Sequence, residues 1–283
     1  MFPKILHLTC KNKNKIDNPI WIRCYEKFKH LYSGYEIILY DNNDIYNIVR
    51  QHYPEHLQII KSVTNGGALA DTFRYLILYL KGGIYADMDC EPLRHIDELF
   101  DNFIYYHGNN VDHKFSLTRL KADYHTTYNL NPCSKYDKDT NNYLCKGHSI
   151  VNPENVDIVI SNEFSKYFGK YGKNSGQCCQ WFIIAKPDNE LFKTCYMTCI
   201  LNIKTKKYLK SVHDYTGPLL FSLIVNDYII KTDIRIALLP PDVFCVGPDI
   251  PHTRNSFIKH HFTGSWHKEE DIRKMKPMAL VQK

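Results

Sequence analysis

The chain has 283 residues, of which 44% are hydrophobic and 23% charged, the proportions of an ordinary globular protein with enough length for one large α/β domain and an ample core. Its 36 basic and 30 acidic residues give a net charge of +6, spread along the chain with only short clusters such as Lys204 to Lys210; this reads as a solvated surface, not a nucleic-acid interface, and suits a substrate that carries phosphates. No run approaches the roughly 18 to 20 apolar residues of a membrane span, and the N-terminus lacks the apolar region of a signal peptide, so a soluble, cytoplasmic protein is expected.

Pro3 to Thr9 reads as a buried first strand, followed by a polar loop and a helix over Ile20 to Leu31 with Trp21, Cys24, Tyr25 and Phe28 on one face. Gly34 breaks that helix, and Tyr35 to Tyr40 is a second strand. Asp41 to Asp44 is a turn with a capping residue leading into the helix Ile45 to His52. This strand–helix alternation opens a parallel α/β sheet. A further helix covers Gly67 to Leu80, with Leu69, Phe73, Leu76, Ile77 and Leu80 at helical spacing, and Gly82-Gly83 ends it.

Phe103 to His107 is expected to be a strand. Asn109 to Ser149 is long, polar and without apolar period, the mark of a functional insertion. Asn152 to Lys170 and Asn189 to Leu209 read as helices, with a strand at Trp181 to Ala185 between them. Thr216-Gly217-Pro218 opens a helix through Asp227, and Arg235 to Leu239 is a last strand closed by Pro240-Pro241. No repeat or linker divides the chain, so residues 1–283 are expected to form a single domain, with 109–149 as an insertion of loops.

Ten cysteines include no C-x-x-C pair; Cys178 and Cys179 are adjacent, and Cys195 and Cys199 are one helical turn apart. Reduced, buried thiols are the expectation, not disulfides or structural zinc.

The segment richest in chemistry runs from Ala68 to Glu91. It reads as helix, glycine break and short strand, delivering Asp87 and Asp89 at positions i and i+2, whose side chains share one side of an extended segment. Two such carboxylates suit a hard divalent cation beside phosphates. Asp71 and Arg74, three apart on the preceding helix, read either as a surface ion pair or as the rim of a ligand site.

A lone D-x-D is weak, but here it closes the pattern D-x-x-R-Y-x-x-L-Y-x-x-G-G-I-Y-x-D-x-D from Asp71 to Asp89. With the opening P-K-I-L-H-L, the helix near Trp21, the strand and turn Y-E-I-I-L-Y-D, Thr216-Gly217-Pro218 and the closing H-x-x-G-S-W, the chain resembles glycosyltransferase family 32. These DXD-motif sugar transferases include yeast mannosyltransferases, animal α1,4-glycosyltransferases and, distantly, the glucosyltransferase domains of clostridial toxins. The resemblance spans both ends of the chain and is faint from Asn109 to Gln177.

The resemblance implies a GT-A fold, that is, a Rossmann-like, mixed but mainly parallel sheet flanked by helices. It also implies a retaining, Mn²⁺- or Mg²⁺-dependent hexosyl transfer from a UDP- or GDP-sugar to a glycan, lipid or protein hydroxyl. By position, Asp89 would bind the metal directly, Asp87 the ribose and the metal's water shell, and His261 would be a further metal ligand. Asp71, Arg74 and Tyr85 would contact the nucleotide sugar, with Leu8 and Thr9 beside the nucleotide at the end of the first strand. Ser265 and Trp266 would hold the diphosphate, and Asp87, Asp89, Arg74 and Trp266 form the catalytic set. The chemistry is coherent, since a departing diphosphate needs a cation and preplaced donors.

Cys10 stands where many relatives have an aromatic base-stacking residue, so stacking would come from elsewhere, with Tyr40 and Trp21 as candidates, or be weaker. Asp214, just before Thr216-Gly217-Pro218, is a candidate participant on the acceptor side. Two other readings use the same residues: a nucleotide-sugar hydrolase or nucleotidyltransferase, and a nucleotide- or glycan-binding module without turnover.

Overall fold

A computed structural model describes residues 1–101, 133–137, 142–145, 156–163, 177–205, 211–232, 234–239, 241–248 and 251–264. The first strand, β1 (Ile5–Thr9), is followed by helix α1 (Pro19–Leu31), strand β2 (Glu36–Tyr40) and helix α2 (Asn42–His52). Asn18 caps α1 by accepting from the Ile20 and Trp21 amides, and Pro19 enters at the first turn, where its missing N–H costs nothing. Asp41 and Asp44 cap α2 reciprocally, each side chain accepting from the other's backbone N–H. The expected turn over Asp41 to Asp44 is therefore already the first turn of α2.

A 3₁₀ turn (Pro54–His56) and the short helix α3 (Leu57–Lys61) lead to α4 (Gly66–Lys81), which ends at Gly82. Beyond it come β3 (Gly83–Ala86), β4 (Cys90–Pro92) and α5 (Asp97–Asp101). The next described pieces are an antiparallel hairpin of β5 (Cys133–Asp137) and β6 (Asn142–Cys145), then β7 (Ile158–Ser161), β8 (Phe182–Ala185) and α6 (Glu190–Thr205). Helices α7 (Val212–Tyr215) and α8 (Pro218–Lys231), strand β9 (Ile236–Leu239), helix α9 (Pro241–Phe244) and strand β10 (Ile258–His260) complete the order.

The main sheet has the strand order β2-β1-β3-β8-β7-β9. β1 pairs in parallel with β2 and β3, and β7 with β9, while β8 runs antiparallel to both neighbours. Five strands therefore point one way and β8 alone is reversed. This is the expected α/β class with a mixed, mainly parallel sheet. Both faces are covered, as strand alternation requires. Tyr85 and Ile183 face a core built with α2, α4, α6 and α8, whereas Ile84, Ala86, Phe182 and Ile184 face a second core with Phe28 of α1 and Phe244 of α9.

The structure corrects one element. The helix expected over Asn152 to Lys170 is, in its described part, the buried strand β7. The Phe103 to His107 strand lies outside the described residues, as does most of Asn109 to Ser149. Cys10, Cys24, Cys90, Cys178, Cys179, Cys195, Cys199 and Cys245 are free and buried.

Candidate active site

The carboxyl ends of β1, β2, β3, β7 and β9 and the start of β8 share one edge of the sheet. Asp87 and Asp89 sit there, but not on an extended segment as the sequence suggests. β3 stops at Ala86, and the two acids flank Met88 in a turn in which the Cys90 N–H donates to the Asp87 carbonyl at 2.9 Å. The Asp87 N–H donates to the Trp181 carbonyl at 2.9 Å, which ties the turn to the start of β8. Convergence of the acids thus comes from a turn, not from strand alternation.

Behind Asp87 lies a buried network. Arg74 donates through Nη2 to Asp87 Oδ1 at 2.9 Å, stands 3.0 Å from Asp71 Oδ1, and donates through Nη1 to the Gln180 carbonyl at 2.7 Å. Its guanidinium also stacks over the Tyr85 ring, 4.7 Å from the centroid. Asp71 accepts from Gln180 Nε2 at 2.7 Å and from the Thr216 hydroxyl at 3.0 Å, and Tyr75 donates to Gln180 Oε1 at 2.8 Å. The surface ion pair that the sequence allowed is therefore a core one. Burial pushes the Asp71 carboxyl up to about 6 against the pull of Arg74. In this conformation Asp71, Arg74 and Tyr85 set the position of Asp87 from inside the protein.

Asp89 is held from the other side by the segment after β10. His260 Nε2 lies 3.0 Å from Asp89 Oδ1, and the Thr263 N–H and hydroxyl both donate to Oδ2 at 2.9 Å. Burial raises the Asp89 carboxyl, but His260 and the two Thr263 donors outweigh it and hold the group well below the usual carboxylate range. The same contact raises His260, against burial that would lower it. The imidazole lies flat on Trp181, with centroids 4.6 Å apart and 6° between planes, and Phe262 meets it edge-on at 4.2 Å.

His261, which the resemblance places at the metal, turns away. Its Nε2 contacts Glu91 Oε2 at 2.5 Å, and Glu91 also pairs with Lys27 and, at 3.6 Å, with Arg23. The imidazole at the acid pair is its neighbour His260. Ligand atoms of Asp87, Asp89 and His260 all lie within 4.8 Å of one another. Two carboxylates and one imidazole are a donor set that fits a divalent ion.

Of the other residues singled out, Leu8 is buried in β1 and Thr9 shares a 2.9 Å hydrogen bond with the Tyr85 hydroxyl. Tyr40 is unsuited to base stacking: its ring packs on Phe73 and its hydroxyl bonds to His7 Nδ1 at 3.1 Å. Because His7 Nε2 faces the Gly82 carbonyl at 2.9 Å, which only accepts, Nε2 carries the proton and Nδ1 accepts from Tyr40. Cys10 is buried, while Trp21 is half-buried and donates from Nε1 to Thr263 Oγ1 at 3.2 Å, close to the clasp on Asp89. Asp214 accepts from the Ser211 hydroxyl at 2.9 Å inside the cap of α7, a structural use. Ser265 and Trp266 lie outside the described residues.

The structure adds His260, Thr263, Gln180, Trp181 and Glu163. In β10 Ile258 and His260 are buried and Lys259 between them is less so, a register that the sequence analysis did not read.

Comparison with known proteins meets this geometry at its centre. Residues 19–104 match the family model described as the glycosyltransferase sugar-binding region containing the DXD motif. A mannosyl phosphorylinositol ceramide synthase of Saccharomyces cerevisiae is 32% identical over 99 residues, 35% of this chain and 26% of that protein. An inositol phosphoceramide mannosyltransferase of Schizosaccharomyces pombe is 34% identical over 97 residues, 34% of this chain and 27% of that protein. The initiation-specific α-1,6-mannosyltransferase of the same yeast is 24% identical over 226 residues, 70% of this chain and 46% of that protein. The matches thus span about a quarter to a half of these relatives. Among solved structures, the PaToxG glycosyltransferase superposes with a TM-score of 0.47 at 14% identity, covering 81% of this chain and 70% of that one. The matched stretch, residues 19–104, is the one that supplies Asp71, Arg74, Asp87 and Asp89, and over it the chain is similar to the DXD-containing glycosyltransferase sugar-binding region.

Proposed function

We propose that this protein transfers a hexosyl group from a UDP- or GDP-sugar to a hydroxyl of a glycan, lipid or protein, with retention at the anomeric carbon and dependence on Mn²⁺ or Mg²⁺. The observation that carries the reading is the convergence of Asp87, Asp89 and His260 at the sheet edge, backed by Arg74. The curated relatives are named as mannosyl-transferring enzymes, so mannose is the first hexose to test.

Asp87, Asp89 and His260 would hold the divalent ion, whose contribution when bound is to offset the charge that grows on the leaving diphosphate. The chain's own part is preorganisation. Arg74 fixes the rotamer of Asp87, and Thr263 fixes that of Asp89, so neither carboxylate reorients as charge develops. Trp181 and Phe262 wall the imidazole with aromatic surface.

The test is a thermal-shift and hydrolysis screen of UDP- and GDP-sugars, including the mannosyl donor, with Mn²⁺ and with EDTA, on wild type and Asp89→Asn. Metal-dependent stabilisation and slow cleavage of one donor, both lost in the variant, are expected. Full turnover by Asp89→Asn would overturn the assignment, and free-sugar release that no acceptor suppresses would point to a hydrolase.

A further inference from the structure

One carboxyl at the same edge is not used by this account. Glu163 follows β7 by two residues and is 7% exposed. Its backbone N–H donates to the Gln177 carbonyl at 2.8 Å, and Gln177 Nε2 donates back to Glu163 Oε1 at 2.9 Å. That clamp fixes the carboxyl while leaving Oε2 without a hydrogen-bond partner among the described residues. No Lys or Arg pairs with it there. A buried carboxyl with one neutral partner is costly to the fold, so its place at the sheet edge that carries Asp87 and Asp89 calls for a ligand.

The sheet order says which part of a ligand would meet it. Asp87 and Asp89 follow β3; Thr9 and Tyr85, the residues expected beside the nucleotide, lie on β1 and β3. Glu163 lies on the opposite flank, across β8, and two strand spacings put it roughly 10 Å from the end of β3. With the diphosphate over the acid pair and the nucleoside over β1, the glycosyl group extends over the start of β8 toward β7. A carboxyl oxygen accepts hydrogen bonds in either protonation state, and sugar hydroxyls are the donors such a ligand offers.

We infer that Glu163 is a specificity residue whose carboxyl accepts hydrogen bonds from hydroxyls of the transferred sugar. The inference rests on the transferase reading above, and the experiment separates the two. Binding of UDP, GDP and their hexosyl derivatives is measured by calorimetry with Mn²⁺ for wild type, Glu163→Gln and Glu163→Ala, each checked for a cooperative melt. Wild type is expected to bind its nucleotide sugar more tightly than the parent diphosphate. Both variants should lose about tenfold or more of that increment, with diphosphate affinity unchanged. Wild type should also discriminate against donors deoxygenated at one ring position, and the variants should not. If both variants keep the increment, or lose diphosphate affinity equally, the assignment to Glu163 is overturned while the transferase reading stands. If wild type binds neither diphosphate nor sugar nucleotide, both fall together.

Discussion

Thr263 clasps Asp89 twice, through its backbone N–H and its hydroxyl, both 2.9 Å from the same oxygen, Oδ2. The clasp bends the chain: Phe262 and Gly264 on either side adopt positive φ, 48° and 59°, and for a phenylalanine that conformation is strained. His260 meets the other oxygen, Oδ1. One carboxylate is thus oriented by three groups from one short segment.

This arrangement separates His260 from His261. His260→Ala should weaken Mn²⁺ binding by about tenfold or more, whereas His261→Ala, which removes a contact to Glu91 at the rim, should leave it close to wild type. Titration followed by electron paramagnetic resonance of free Mn²⁺ gives both numbers. A larger loss in His261→Ala would assign the ligand role to the residue that the family resemblance names.

Arg74 is buried between two acids. Its removal leaves Asp71 and Asp87 without a counter-charge, and Arg74→Ala should cost about 3–5 kcal/mol of stability. Adding Asp71→Asn should recover part of that loss, because the orphaned charge is then gone. Urea melts of the two single variants and the double variant measure the coupling; simple additivity would show that the pair is not acting as a unit.

Gly83 has φ +87°, and a Cβ there would stand 2.6 Å from the Ile5 carbonyl oxygen. Gly83→Ala therefore meets both a strained backbone and a rigid neighbour, and should destabilise by at least about 2 kcal/mol. An unchanged thermal midpoint would contradict the close packing of β3 on β1.

Burial pushes the Glu163 carboxyl from 4.5 up to about 7 in the folded protein. Below pH 4.5 both folded and unfolded chains carry the proton, and the group costs nothing. As pH rises toward 7 the unfolded chain ionises first, so stability falls, by up to about 3 kcal/mol, and then levels off. Glu163→Gln lacks this loss. Its stability relative to wild type should rise between pH 4.5 and 7 in paired chemical melts; a constant difference would show that the carboxyl is not held in its neutral form.

What could be read in the sequence follows from how local the signal was. Helix α4, the Gly82-Gly83 break and the strand after it are stated by apolar spacing and glycine alone, and both acids came with them. β7 was not readable, because four residues buried on both faces give a short apolar run that fits helix or strand equally. That His260 and not His261 faces the acid pair is a matter of register. In β10 a shift of one residue moves a side chain to the other face, and pairing of His260 with Cys90 settles which imidazole turns inward. Glu163 and Gln180 are brought to the site by the sheet order, which no local spacing states.

The partners of Asp89 also set a timetable for synthesis. The acids are made early, but His260 and Thr263 come more than 170 residues later. A nascent chain that has reached Leu239 holds every strand of the main sheet, yet its acid pair has no imidazole and no clasp. Competence of the site therefore waits for residues 258–264, so the growing chain passes through a stage in which the sheet can form and the site cannot.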